Sequence, residues 1–218
     1  MIQLLNKKLI LILILMAGVG LYAQNIEKVY IHMPDRLNPT TTAKIRMEML
    51  EYHKAGQGDT IQNRFSGKAS LQVFDTLNNR IVVKNTATST FEMKLLTVDG
   101  IPSIGVIRSV CSPICQSVIE FCDTAWNKIP VQFIMPKAID WLDKNKLDSV
   151  VGLDKHWVQK VLENNFISLS FDAATASIVA TNNSVDFLSD ADRKVIQPLL
   201  RDKPIFFRLE GKRWVKKP

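Results

Sequence analysis

The sharpest chemical signal in the chain is Cys111-Ser112-Pro113-Ile114-Cys115. Two strands flank this loop, and pairing them with Cys111 opposite Cys115 sets Ser109 against Ser117, Ile107 against Ile119 and Gly105 against Phe121. That register gathers one apolar face, lets Phe121 cover the bare glycine, and puts Arg108 diagonal to Glu120 on the other face. Directly opposed residues have Cα atoms roughly 4.5–5.5 Å apart, within disulfide range. In an oxidising compartment a Cys111–Cys115 disulfide is the expected chemistry. A dithiol redox centre wants Cys-x-x-Cys, which this is not. A zinc site wants more ligands than two cysteines with no nearby histidine. Cys122 falls on the opposite face by strand alternation and reads as a buried free thiol. The competing bond, from Cys111 or Cys115 to Cys122, needs a bulge that changes its face.

Other catalytic groups are scattered. The three histidines, His32, His53 and His156, form no His-x-x-x-His pair. Function needs converging titratable groups, so they read as surface or half-buried side chains. Ser112 and Ser117 lack a nucleophile elbow. Asp75, Asp123 and Asp172 stand at turn positions, where Asp ordinarily builds the turn. No glycine-rich phosphate loop is present. No catalytic residue, cofactor or metal site is assigned. The four tryptophans are candidates for stacking on carbohydrate, but Trp126 and Trp214 read instead as strand partners of Phe121 and Leu209, and Trp157 has an amphipathic helical setting.

The elements that position these residues follow from periodicity. Ile26, Val29, Tyr30 and Met33 have helical spacing ended by Pro34. A second helix opens at Pro39-Thr40-Thr41, with Ile45, Met49, Leu50 and Tyr52 on one side, Lys44, Arg46, Glu48 and Glu51 elsewhere, and Gly56 and Gly58 closing it. From Leu71 the period becomes two. Strands are predicted at 71–74, 80–83, 91–95, 104–111 and 118–121, with turns at Asn78-Asn79, Asp99-Gly100 and Ser112-Pro113. Short turns between neighbours imply an antiparallel sheet. Residues 130–136 read as a linker. Helical spacing returns at Ile139, Trp141 and Leu142 and at Trp157, Val158, Val161 and Leu162. Strands follow at 166–171 and 177–181, then a short helix capped by Ser189, then a hairpin of 205–209 and 213–216 around Gly211.

Leu71 to Asp75 is similar to Leu169 to Asp172, and Phe121 to Pro130 is similar to Leu209 to Pro218 in the spacing of its apolar, Trp, Lys and Pro residues. The expectation is an α+β fold of two tandem units, residues 24–135 and 136–218, each with helices packed on an antiparallel β-sheet.

Composition bounds the function. Hydrophobic residues make up 46% and charged residues 22% of the 218, which excludes disordered and low-complexity classes. Such a chain can bury roughly 70% of its unfolded surface without metals or staples. At the N-terminus Lys7 and Lys8 precede an apolar run, then small Ala23 and polar Gln24. The run is shorter than the ~20 residues of a membrane span and reads as a secretory signal peptide of residues 1–23. Its removal takes away two of seven excess positive charges. The rest is partly concentrated in Lys212, Arg213, Lys216 and Lys217, which read as the guarded edge of a strand or as contacts to an acidic partner. Nucleic acid is not an expected partner, and the mature chain has no expected membrane span.

Met33-Pro34-Asp35, Arg46 to Tyr52, Ser89 to Leu96, and Val110 to Pro113 running through Ser117 to Trp126 occur in that order. In these segments the chain resembles a bacterial family named domain of unknown function 3256. The resemblance is clearest from about Ile26 to Pro130. Ser112 stands where another small residue is usual, and Cys122 where an aromatic is usual. The resemblance implies an exported protein of a Gram-negative bacterium, in the periplasm or at the cell exterior, and supplies no activity. The function expected is a non-catalytic envelope protein that binds another envelope protein or an anionic ligand. The alternatives are a secreted hydrolase-like enzyme and an enzyme-inhibitor-like binder, the latter on fold analogy alone.

Overall fold

The computed structural model describes residues 25–217; the expected signal peptide lies outside them. The fold is α+β, with two antiparallel sheets. The chain opens with helix α1 (Ile26–Ile31), a single 3-10 turn at Asp35–Leu37 and helix α2 (Ala43–Lys54). Asn25 caps α1 through Glu27 N, and Asp35 reaches forward to accept from Ala43 N at 2.9 Å.

Six strands follow in simple meander order: β1 (Thr60–Gln62), β2 (Lys68–Asp75), β3 (Arg80–Lys84), β4 (Ser89–Val98), β5 (Ile101–Cys111) and β6 (Cys115–Asp123). Asn79, Asp99 and Gly100 adopt the left-handed conformation at the tight turns expected there. β1 is an addition to the predicted set; at three residues it is too short to carry a periodic signal.

Period-two alternation divides the first sheet. Ile81, Val83, Phe91, Met93, Ile104, Val106 and Cys122 pack with Ile26, Tyr30, Met49 and Leu50 of the two helices. The opposite face carries Leu96, Ile107 and Phe121, and these join a second core. That core is completed by α3 (Lys144–Ser149), α4 (Lys155–Val161), β7 (Ile167–Phe171), β8 (Ser177–Asn182), α5 (Asp190–Ile196), β9 (Ile205–Glu210) and β10 (Arg213–Lys216). The second sheet has the order β10-β9-β8-β7, and its inward residues Ile167, Leu169 and Phe171 alternate with half-buried serines.

The register of the β5–β6 hairpin is the expected one: Cys111 faces Cys115, Ser109 faces Ser117, Ile107 faces Ile119 and Gly105 faces Phe121. Two side-chain expectations differ. Gly105 is covered by Phe171 from the second sheet, and a Cβ there would lie 2.5 Å from Phe171 Cζ and 3.0 Å from Leu96 Cδ1. Phe121 instead stacks on Trp214, with ring centroids 5.8 Å apart. Leu209 and Trp214 are cross-strand partners as expected, but Phe121 and Trp126 are not. The chain turns at Trp126, whose φ is +67°, so that Cys122 bridges to Lys128 and Trp126 packs in the helix-side core. The two hairpins therefore occupy different environments. Residues 130–136 are also more than a connection. Val131, Phe133 and Met135 pack on the second core, and Gln132 exchanges main-chain hydrogen bonds with Lys212 and Trp214 along the β10 edge.

Candidate ligand-binding site

Several polar residues of the first sheet point at the second sheet, and they hold its edge strand. Glu92, only 4% exposed, accepts from Arg80 Nε at 2.7 Å and from Phe171 N at 2.9 Å through the same Oε1. Lys94 Nζ donates to the carbonyls of Asp172 and Ala173 at 2.7 and 3.1 Å. Ser117 Oγ, 2.7 Å from Ser109 Oγ, accepts from Leu169 N at 2.9 Å. The outward N–H groups of Leu169 and Phe171, which an edge strand would otherwise expose, are thus satisfied across the interface. Burial raises the Glu92 carboxyl, and burial lowers the Lys94 ammonium. These groups are engaged in joining the sheets.

The residues singled out by sequence do not come together. Cys111 and Cys115 lie bonded at the tip of the β5–β6 hairpin, with Cα atoms 3.9 Å apart. Cys122 is buried on the helix side, and burial pushes its thiol up. His32 Nδ1 is 2.8 Å from Lys28 O, and His53 Nδ1 is 2.6 Å from Asp59 Oδ1 at the exposed end of α2. His156 starts α4. Asp123 and Asp172 organise their turns, and hydrogen bonds from Asn127 and Thr175 respectively hold the two carboxyls below the usual range. Among the described residues no trio of His, Cys, Asp and Glu lies close enough to hold a metal ion. The basic C-terminal residues are partly engaged as well: Lys217 Nζ donates to Ser177 Oγ at 2.9 Å, and Lys212 Nζ is 4.0 Å from Asp99. In protein purified without reductant, peptide mapping is expected to recover a Cys111–Cys115 link and a Cys122 thiol that alkylates only after unfolding. Any bond that includes Cys122 would contradict this.

Elsewhere, a crevice of about 380 Å³ lies between the end of β8, the 3-10 turn Ser184–Phe187, α5 and the segment leading into β9. Its size falls in the usual range for small-ligand sites, roughly 300–1,000 Å³. Trp141, Val185 and Leu200 supply apolar lining. Arg193, Arg201 and Lys203 supply three cations against the carboxylates of Asp186 and Asp202. The wall is built locally. Ser189 caps α5 by accepting from Asp192 N at 3.1 Å, as its position in the sequence predicts. Arg193 Nε and Nη2 donate to Val185 O and Asp186 O, each at 3.2 Å, tying α5 to the preceding turn. Arg201 N donates to Trp141 O at 2.8 Å, which fixes the lip over the floor. Among the described residues neither Arg201 nor Lys203 forms an ion pair, and both are exposed.

A second groove, of about 470 Å³, lies against β1–β3, where Thr60, Ser70 and Lys84 form one cross-strand row beside Lys68. It has no aromatic lining. Sequence reasoning missed the crevice because its charges come from three separate segments, each an unremarkable solvated stretch by itself.

Among the described residues no helix is long and apolar enough to cross a membrane. No curated protein matches the chain. A solved structure of a domain of an uncharacterized protein from Porphyromonas gingivalis W83 has a TM-score of 0.69 with this one at 17% sequence identity, covering 88% of this chain and 98% of that one. At that identity the likeness is one of fold. The model of the family described as "Protein of unknown function (DUF3256)" matches residues 18–214, so the resemblance noted in the first half extends over nearly the whole length, and the chain belongs to that family.

Proposed function

We propose that this protein is an exported, non-catalytic binding module of the bacterial envelope, and that its ligand is a small organic anion held in the crevice beside α5. The observation that carries the reading is the pairing of an apolar lining, Trp141 and Leu200, with the exposed cations Arg201 and Lys203. A carboxylate or phosphate can meet the lip while an apolar body covers the floor. The residues 24–135 then form one unit that anchors the second sheet, and the unit 136–218 carries the site. The bonded pair Cys111–Cys115 suits the oxidising space outside the cytoplasm. The charged groups between the sheets support a binding role over a catalytic one, because each already serves a structural hydrogen bond.

Phenyl phosphate, with phenol as the neutral control, tests the site by calorimetric titration. Phenyl phosphate is expected to bind in the millimolar range or tighter and phenol more weakly. The double variant Arg201→Glu, Lys203→Glu is expected to weaken phenyl phosphate at least about tenfold, since two attractive charges become repulsive. Equal affinity of the variant and the natural protein would overturn the assignment.

A further inference from the structure

We infer that the Cys111–Cys115 bond controls the order of the crevice wall, through a single side chain that joins the hairpin tip to it. Asn183 Nδ2 donates to Cys115 O at 2.8 Å. Asn183 is also the residue on which the wall is folded. Its N–H donates to Phe166 O at 2.8 Å, and its carbonyl accepts from Asp186 N at 3.1 Å to start the 3-10 turn. Asn182, one residue earlier, accepts from Ser184 N at 2.9 Å, and Ser184 Oγ accepts from Phe166 N at 2.9 Å. Asn182, Val185 and Asp186 line the crevice, and Arg193 is held by the carbonyls of the last two. One residue of the disulfide is therefore a single hydrogen bond from the segment that positions Arg193.

With the bond closed, Cys115 O is fixed by the covalent loop of the hairpin as well as by pairing with β5. A dithiol reductant opens it by disulfide exchange: the S–S bond is broken, both cysteines become thiols, and the reductant is left as its own disulfide. The hairpin tip then gains freedom, and the acceptor of the Asn183 anchor is held by the β5 pairing alone. The next contact down the hairpin, Leu169 N to Ser117 Oγ, lies beyond the bond and keeps the sheets together. The consequence is local, confined to the wall. Its meaning for ligand binding rests on the crevice being the ligand site; the coupling itself does not.

Hydrogen exchange of the Asp186 and Leu188 amides reads the coupling without any ligand. Both amides close the 3-10 turn, to Asn183 O and Val185 O. In the variant Cys111→Ser, Cys115→Ser their exchange is expected to be roughly three- to tenfold faster than in the oxidised protein, the effect of weakening about one hydrogen bond. Asn183→Leu, with the disulfide intact, is expected to reproduce that acceleration. If the serine variant fails to fold, folded natural protein reduced with dithiothreitol supplies the same comparison. The inference is overturned if the Ser112 and Ile114 amides exchange faster while Asp186 and Leu188 change by less than about twofold, or if Asn183→Leu leaves them unchanged. Uniform acceleration across both sheets would also overturn it, since that is global destabilisation. Failure here leaves the phenyl phosphate result standing, and the reverse also holds.

Discussion

Replacing Arg46 by Met is expected to lower the unfolding free energy by about 3–5 kcal/mol, more than any substitution on the surface of the same helix. Arg46 is 0% exposed. Its guanidinium donates to the carbonyls of Thr41 and Met33 and to Ile31 O at 3.1 Å, forms an ion pair with Asp35 Oδ1 at 3.1 Å, and its carbon sits 5.8 Å from the centroid of the Tyr30 ring. Three segments thus converge on one side chain: the end of α1, the loop through Met33-Pro34-Asp35, and the start of α2. Burial lowers the Arg46 guanidinium and pushes the Tyr30 phenol up to about 12. A Met of similar volume keeps the packing but leaves buried carbonyls without donors, and each orphaned group costs about 1–3 kcal/mol. For a chain of this size the loss corresponds to a melting temperature lower by about 10 °C. Arg46→Lys keeps a charge but not the planar fork, and is expected to recover less than half of the loss. Chemical denaturation of the three proteins decides this. A Met variant within about 1 kcal/mol of the natural protein would contradict the role assigned to Arg46.

Glu92 governs the second large effect. Glu92→Ala is expected to cost about 3–5 kcal/mol, because it strands the half-buried Arg80 and leaves Phe171 N without an acceptor between the sheets. Glu92→Gln keeps a carbonyl oxygen for Phe171 N and removes a charge that is expensive to bury. Its cost is expected to be about 1 kcal/mol or less. The pH dependence separates the two further. Burial, opposed by Arg80, raises the Glu92 carboxyl above its usual value. The folded state therefore holds that proton more tightly than the unfolded chain, and the natural protein loses this contribution as pH rises through the raised pKa. Glu92→Gln does not titrate, so its stability relative to the natural protein is expected to improve from the ordinary carboxylate range toward neutral pH. Thermal melts across that range measure the trend, and an opposite slope would contradict the burial of an ionised Glu92.

What the sequence made legible was local. Alternation and turn residues placed nine of the ten strands, and the Cys111–Cys115 register carried Ser109, Ile107 and Gly105 to their correct partners. What it hid was tertiary. Phe91-Glu92-Met93-Lys94-Leu95 alternates like a sheet with one face in water, yet its polar face is covered by the second sheet. A strand pattern records that two faces differ in polarity and is silent on what lies over the polar one. Arg46 shows the same limit on a helix, since it reads as solvated beside Lys44 and Glu48 and is in fact the largest of the fully buried side chains among the described residues. Phe171 takes the place over Gly105 that Phe121 was expected to fill, because the inter-sheet contact brings it there from a segment distant in sequence. The crevice has the same origin. Trp141, Arg193 and Lys203 meet only once the second sheet and its helices have folded together.

The most direct test of the proposed ligand site is a map of amide and indole chemical shifts of the natural protein during titration with phenyl phosphate. The largest saturable shifts are expected on Trp141 Nε1–H and on the amides of Val185, Arg193, Arg201 and Lys203, with the Thr60–Ser70–Lys84 row unmoved. Saturable shifts centred on that row, or none at either place, would contradict it.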